Sequence, residues 1–114
     1  MIPPDLASSL LIIIPAYNEQ ATVAQVVREV RRSLAGVRVV VIDDGSADAT
    51  APLARDAGAM VLPLPHHLGL GGAVQAGYKL AYELGYEYVI RIDADGQHDP
   101  LEIPKLFEAL RTSG

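Results

Sequence analysis

Two aspartates separated by a single alanine, Asp93 and Asp95, are the feature of the sequence that most directly suggests chemistry. They follow the apolar run 86–92, so both carboxylates can turn toward one point just past a predicted strand. Mg²⁺ and Mn²⁺ favour oxygen ligands and commonly take one or two protein carboxylates together with phosphate oxygens and water. Gln97 adds a neutral oxygen two residues later. The spacing therefore predicts a divalent metal site made by Asp93, Asp95 and Gln97.

Residues 93–99 could also be an EF-hand calcium loop or an exposed turn that leads into a helix. An EF-hand calcium loop is excluded, because the position that requires glycine holds His98 and the position that requires a bidentate acid holds Pro104. An exposed turn remains open, since Asp99 can cap a helix that has Pro100 at its first position. For Asp99 itself, the helix cap is the better interpretation.

Aromatic and acidic residues also follow the first two apolar runs of the chain. Tyr17 and Glu19 come after the first run, and Asp43 and Asp44 come after the second. A tyrosine ring can stack on a nucleobase, and a carboxylate can accept hydrogen bonds from a base or a ribose. A half-buried loop tyrosine and ordinary turn chemistry at Asp44 are the alternatives. Like charges gathered on one rim raise one another's pKa, which is usually tolerated only where a cation or hydrogen-bond donors offset the repulsion.

The elements that position these residues alternate along the chain. Strands are predicted at residues 10–14, 37–42, 60–64 and 86–92, where short apolar runs are bounded by Pro, Gly or Asp. Helices are predicted between them, with the second at 48–57 and a fourth beginning at Asp99. This alternation predicts an α/β fold, a Rossmann-like three-layer sandwich with a mainly parallel four-stranded sheet. Ligands of such sheets bind beyond the carboxyl ends of the strands.

Three histidines and a glycine-rich segment lie near these strand ends. His66, His67 and His98 could act as ligands or general acids, but a loop histidine with no special role is the better interpretation of each. The segment 69–72 fails the dinucleotide-binding pattern, because Val74 stands where the third glycine is required. A glycine-rich helix start still lets backbone N–H groups approach a ligand.

Composition limits the class of partner and the location. The length predicts one domain over residues 1–114. Nucleic acid is not an expected partner, because the net charge is −5 and the basic residues do not cluster beyond Arg31-Arg32. The chain has no cysteine, no leader pattern and no apolar run near the ~20 residues of a membrane helix, so a cytoplasmic location is expected. An open sheet edge would favour a homo-oligomer.

Three motifs in order resemble those of the inverting glycosyltransferases with the GT-A fold known as family 2. They are Ile14-Pro15-Ala16-Tyr17-Asn18-Glu19, Val41-Ile42-Asp43-Asp44-Gly45-Ser46-Ala47-Asp48-Ala49-Thr50 and Asp93-Ala94-Asp95-Gly96-Gln97-His98. The resemblance covers the chain from Leu11 to about Leu110. Because Asp-Gly-Gln-His starts at the second of the paired aspartates, the chain looks most like the dolichol-phosphate and polyprenol-phosphate hexosyltransferases.

The resemblance implies a site and a reaction. A pocket for a nucleoside diphosphate sugar would be lined by Pro15, Ala16, Tyr17, Glu19, Asp93 and Ala94. Ile42 and Asp44 would read the base, and Mg²⁺ or Mn²⁺ would sit at Asp93, Asp95 and Gln97. The implied reaction is the inverting transfer of a hexose from a GDP- or UDP-hexose to a polyprenyl phosphate or another hydroxyl.

The chain departs from the family pattern in two places. His66-His67 precedes the glycine-rich segment where the family often has asparagine. Family catalytic domains also continue past the position of Gly114, with an acceptor-binding part that usually carries the general base. The resemblance therefore implies a donor-binding half with no residue assigned as base, from a protein that would act at the cytoplasmic membrane face.

Two other functions compete with hexose transfer. A module that binds a nucleotide or nucleotide sugar and transfers nothing is the main alternative, since no general base is assigned. A phosphoacceptor domain that uses clustered aspartates and Mg²⁺ is disfavoured, because no suitably placed lysine follows a fifth strand.

Overall fold

A four-stranded, entirely parallel sheet forms the centre of the computed structural model, which describes residues 7–95. In chain order the elements are β1 (Leu10–Ala16), α1 (Val23–Ser33), β2 (Arg38–Asp43), α2 (Thr50–Asp56), β3 (Met60–Pro63), α3 (Gly69–Glu83) and β4 (Tyr88–Arg91). The strands lie in the order β3-β2-β1-β4. This confirms the predicted α/β class and parallel sheet. The helix predicted from Asp99 lies outside the described residues.

The two central strands are covered by helices on both faces. β1 is buried at every residue, and β2 is buried at every residue except Arg38. A strand with no solvent side needs apolar residues at successive positions, which explains why these two runs do not alternate. One core packs under α1 and α2, and it contains Ile12, Ile14, Val39, Val41, Val23, Val26, Val27, Val30 and Ala54. The other packs under α3, and it contains Leu11, Ile13, Val40, Ile42, Ala73, Val74 and Ala81.

Helix α3 approaches the sheet closely because one face of it carries small residues. A Cβ placed on Gly77 would lie 2.8 Å from Cδ1 of the buried Ile13, which is well inside carbon–carbon contact distance. Ala73 and Ala81 lie in the same core and are almost fully buried. The small side chains therefore bring the start of α3 up to the carboxyl ends of β1 and β2.

Strand and helix ends differ from the predictions by one or two residues. β1 continues to Ala16, since Pro15 and Ala16 stay in register with the last two residues of β2. β4 begins two residues late, because the N–H of Tyr86 donates to the carbonyl of Ala81 and closes the end of α3. Within residues 7–95, no helix has the length and apolar composition needed to cross a bilayer.

Candidate functional site

Two adjoining clefts open at the carboxyl ends of the strands. Pro15, Glu19 and Leu70 line both of them, so the clefts form one continuous strand-end groove. One end, the aromatic end, is further lined by Ala16, Tyr17, Asp44, His67 and Ala73. The other, the acidic end, is further lined by Arg91, Asp93, Ala94 and Asp95. The structure thus brings together most of the residues that the sequence predicted for the site.

The turn after β1 is fixed to the loop after β2. The backbone N–H of Asn18 donates to the hydroxyl of Ser46 at 2.9 Å, and the side-chain oxygen of Asn18 accepts from the N–H of Ala47 at 2.9 Å. The N–H of Glu19 donates to the hydroxyl of Thr50 at 2.9 Å. Asn18 has a positive φ of 53°, which asparagine tolerates better than most residues. These contacts set where Tyr17 and Glu19 face the groove.

Asp48 completes this connection between the two loops. Its carboxylate accepts the N–H of Gln20 at 3.2 Å and the N–H of Thr50 at 3.0 Å, and it also accepts the Thr50 hydroxyl. Desolvation acts to raise the pKa of Asp48, but the hydrogen bonds from Thr50 and Gln20 outweigh it and lower that pKa. Because Asp48 and Ala49 still belong to the loop, α2 begins at Thr50 and not at the predicted residue 48.

Asp44 is the most enclosed charged residue of the aromatic end. Its side chain is only 3% exposed. One carboxylate oxygen accepts the N–H of Leu68 at 2.7 Å, and the other accepts the N–H of Gly69 at 2.9 Å. Since Gly69 is the first residue of α3, the carboxylate satisfies N–H groups at the start of a helix that has no side-chain cap of its own. Asp44 therefore fixes the start of α3 at the groove.

His67 links Asp44 to Tyr17. Its Nδ1 lies 2.9 Å from Oδ2 of Asp44 and 3.1 Å from the Asp44 carbonyl oxygen. Its ring stacks on the ring of Tyr17, with centroids 3.8 Å apart and planes 29° from parallel. His67 lies in a loop, as predicted, and its side chain also lines a wall of the groove.

Gly45 allows the loops after β2 and β3 to lie against each other. It has a φ of +77°, and a Cβ at this position would lie 3.0 Å from the backbone nitrogen of His67. Glycine is required on both counts, since other residues disfavour this φ and any side chain would press on the neighbouring backbone. The contact between the two loops is what places His67 beside Tyr17.

The acidic end is more open than the aromatic end. Nε of Arg91 lies 3.7 Å from Oδ1 of Asp93, and the two side chains are 40% and 36% exposed. The carbonyl of Ala94, between the two aspartates, accepts the hydroxyl of Thr22 at 2.6 Å, which anchors this segment to the start of α1.

No group of three His, Cys, Asp or Glu side chains in the described part of the chain is arranged to hold a metal. The donor set at the acidic end is therefore the carboxylate pair of Asp93 and Asp95, both of which line the groove. Two carboxylates fit Mg²⁺ or Mn²⁺ when phosphate oxygens and water complete the shell. Gln97, the predicted third ligand, lies outside the described residues.

Two residues that could contact a nucleobase, Ile42 and Asp43, do not face the groove. Ile42 is fully buried in the core under α3, so its side chain does not reach the groove. Asp43 is 8% exposed, and its Oδ1 accepts the N–H of Ser46 at 3.0 Å, which is the turn chemistry that the sequence allowed.

The sequence prediction missed three residues that line the groove, His67, Leu70 and Arg91. No local sequence signal places His67 near Asp44, since its position depends on the pairing of β2 with β3.

The chain was compared with known proteins. It matches the family model described as "Glycosyl transferase family 2" over residues 11–114. It is 39% identical over 110 residues to undecaprenyl-phosphate mannosyltransferase from Micrococcus luteus, covering 91% of this chain and 45% of that protein. It is 37% identical over 107 residues to polyprenol monophosphomannose synthase from Mycolicibacterium smegmatis, covering 88% and 40%. The chain thus spans less than half the length of these relatives.

Solved structures give the same result for the fold. Glucosyl-3-phosphoglycerate synthase from Mycobacterium tuberculosis in complex with Mn²⁺, UDP and glucosyl-3-phosphoglycerate superposes with a TM-score of 0.75 at 27% identity, covering 96% of this chain and 44% of that one. The same synthase with Mg²⁺ and UDP gives a TM-score of 0.73 at 26% identity, covering 96% and 44%. These structures combine a divalent metal with a nucleoside diphosphate.

Proposed function

Because the chain belongs to glycosyl transferase family 2, we propose that it is the donor-binding part of an enzyme that transfers a hexose from a nucleoside diphosphate sugar. The continuity of the strand-end groove carries this proposal. An aromatic wall at Tyr17 and a carboxylate pair at Asp93 and Asp95 lie at the two ends of one groove. A nucleoside diphosphate has the same two-part character, with a flat base at one end and phosphates that bind a metal at the other.

The proposed metal site consists of Asp93 and Asp95, with Gln97 as a third ligand. Mg²⁺ or Mn²⁺ bound there would supply positive charge that offsets the charge developing on the departing diphosphate. The synthase structures that hold Mn²⁺ or Mg²⁺ with UDP support this proposal. The chain's own contribution is to hold the two carboxylates at the end of β4, where the hydrogen bond from Thr22 anchors Ala94.

The nucleotide is proposed to occupy the rest of the groove. Tyr17 offers an aromatic face to the base, while Pro15, Ala16 and Glu19 line the passage toward the metal and Ala94 lines the acidic end. Asp44 shapes the aromatic end by fixing the start of α3. Ile42, which the resemblance names with Asp44, lies in the core behind this end. Either GDP or UDP is compatible with this arrangement.

Polyprenyl phosphate is the acceptor class that we propose, supported by the relatives from M. luteus and M. smegmatis whose names include a polyprenol. The full-length protein would then work at the cytoplasmic face of a membrane. No described residue is assigned as the general base, so we propose that a residue outside the described part of the chain supplies it.

A nucleotide-binding module without transfer activity is the second candidate function, favoured by the short span of the chain relative to its relatives.

Calorimetric titration of the 114-residue chain with UDP and with GDP, each with and without Mn²⁺, tests the proposal. We expect one nucleotide to bind far more tightly with Mn²⁺, and D93N or D95N to remove this dependence. D56N is the matched control, since Asp56 is exposed on α2 away from the groove. Failure of both nucleotides to show metal-dependent binding would refute the proposed function. Transfer of a hexose by this chain to any acceptor would exclude the binding module.

A further inference from the structure

His67 makes two different contacts with one imidazole ring. Its Nδ1 has two oxygen neighbours, the Asp44 carboxylate at 2.9 Å and the Asp44 carbonyl at 3.1 Å. Since both neighbours are acceptors, Nδ1 must carry the hydrogen and donate it. The face of the same ring stacks on Tyr17 at 3.8 Å. The hydrogen bond fixes the plane of the imidazole, and the stacking transmits that orientation to Tyr17.

Asp44 is a rigid support for this imidazole. Its side chain is almost fully buried and also accepts the N–H groups of Leu68 and Gly69. Its own N–H donates to the carbonyl of Ala16 at the end of β1, at 2.9 Å. The support is thus tied to a central strand and to the start of α3. Tyr17, in contrast, is 44% exposed and lies in a turn, so its ring depends on neighbours for a fixed orientation.

Histidine combines two properties that other residues at this position would separate. An asparagine offers an N–H donor in a similar place but has no ring. A phenylalanine offers a ring but no donor. We infer that His67 is a positioning residue for the nucleobase: held by Asp44, it keeps the Tyr17 ring in one orientation so that the base stacks on a pre-oriented surface. This inference rests on the proposed function.

The substitution H67N tests the stacking while it retains a donor for Asp44. Dissociation constants in the presence of Mn²⁺ are measured by calorimetry for inorganic pyrophosphate and for whichever of UDP and GDP the wild-type chain binds. We expect H67N to weaken nucleotide binding about three- to tenfold, the scale of one aromatic pair, and to leave pyrophosphate binding unchanged. H66N is the matched control, because His66 is exposed and does not line the groove. It should change neither constant.

A second variant separates the two contacts of the ring. H67F keeps an aromatic face for Tyr17 but leaves Asp44 without one of its donors. For each variant we compare the ratio of nucleotide affinity to pyrophosphate affinity. We expect H67F to lower this ratio less than H67N does, because a ring still faces Tyr17. The melting temperature of H67F should fall, because Asp44 has lost a donor. In a Y17L background, H67N should have no further effect on nucleotide binding, since His67 acts through Tyr17.

Several outcomes would overturn the inference. They are unchanged or tighter nucleotide binding by H67N, an equal loss of nucleotide and pyrophosphate binding, and a full effect of H67N in the Y17L background. If H67N does not fold, the ratio of nucleotide to pyrophosphate affinity measured for H67F is decisive. A fall of this ratio in H67F as large as the fall in Y17L would contradict the inference. Absence of metal-dependent binding of UDP and GDP by the wild type would refute the proposed function instead, so the two failures are distinguishable.

Discussion

The two ends of the strand-end groove are built in opposite ways. At the aromatic end, the Asp44 side chain is 3% exposed and receives hydrogen bonds from three neighbouring groups. At the acidic end, Asp93 is 36% exposed and its ion pair with Arg91 spans 3.7 Å. Buried, fully hydrogen-bonded groups hold one geometry, whereas exposed charges in water interact weakly. The comparison indicates that the protein itself fixes the geometry at the aromatic end, and we expect the proposed cation to fix most of it at the acidic end.

The largest expected effect comes from removing the support of the aromatic end. D44A leaves the N–H groups of Leu68 and Gly69 without their charged acceptor, and a hydrogen bond to a charged group typically contributes about 1.5–3 kcal/mol. We expect the free energy of unfolding to fall by about 3 kcal/mol, measured by urea denaturation. D56A, which removes an exposed carboxylate from α2, should change it by less than about 0.5 kcal/mol. Equal stability of D44A and D56A would contradict the proposed difference between the two ends.

Removing a carboxylate from the acidic end should affect metal binding and leave stability nearly unchanged. For D93N and for D95N we expect Mn²⁺-dependent nucleotide binding to weaken at least about tenfold, since even groups that only hydrogen-bond to metal ligands typically contribute that much. The free energy of unfolding should stay within about 0.5 kcal/mol of the wild type, because Asp93 is partly exposed. Calorimetry and urea denaturation of the same samples check both expectations. A large loss of stability in D93N would mean that this end is also structurally fixed.

The pH dependence of stability should show the contribution of Asp48, which connects the loops at the aromatic end. Its folded-state pKa is lowered below the ordinary value of 3.8, mainly by hydrogen bonds that act against desolvation. The stabilisation is therefore fully present above that value and is lost as the pH falls through the folded-state pKa. In D48N, the loss of stability between about pH 6 and about pH 3 should be smaller than in the wild type. Thermal melts across this range test it, with D56N as control.

The smallest effect is expected at Arg91. Its ion pair with Asp93 is long and both partners are partly exposed, so R91M should change the free energy of unfolding by no more than about 0.5 kcal/mol. R32M, an exposed arginine on α1, is the control. A loss near that expected for D44A would show that the acidic end is held as firmly as the aromatic end. Denaturation at low and high salt would sharpen the result, because screening weakens exposed pairs.

The predicted fold was confirmed because its signals are local. The apolar runs of β1 and β2, the glycine stops and the small face of α3 each follow from burial on a parallel sheet. The prediction of Tyr17, Glu19, Asp44, Asp93 and Asp95 at one edge followed from topology alone, since parallel strands end at the same edge. Their exact contacts did not follow, because contacts depend on which strands are neighbours.

His67 illustrates what local patterns could not provide. Its role depends on β3 lying next to β2, on Gly45 admitting the neighbouring loop, and on a ring orientation set by Asp44. None of these is visible in the residues around position 67. Ile42 illustrates the opposite case, since a residue named through family resemblance has its side chain fully buried in the core. The assignment of Gln97 as a third metal ligand stays a prediction from the sequence.

Gly45 has a consequence for how this groove can be altered by design. It contributes no side chain to the groove, yet a methyl group there would press on the backbone of His67. Alanine at position 45 is therefore expected to push the loops after β2 and β3 apart and to shift the proposed base-binding wall, while Asp93 and Asp95 keep their places. If the proposed function holds, a single methyl group behind this wall would alter nucleotide preference separately from metal affinity.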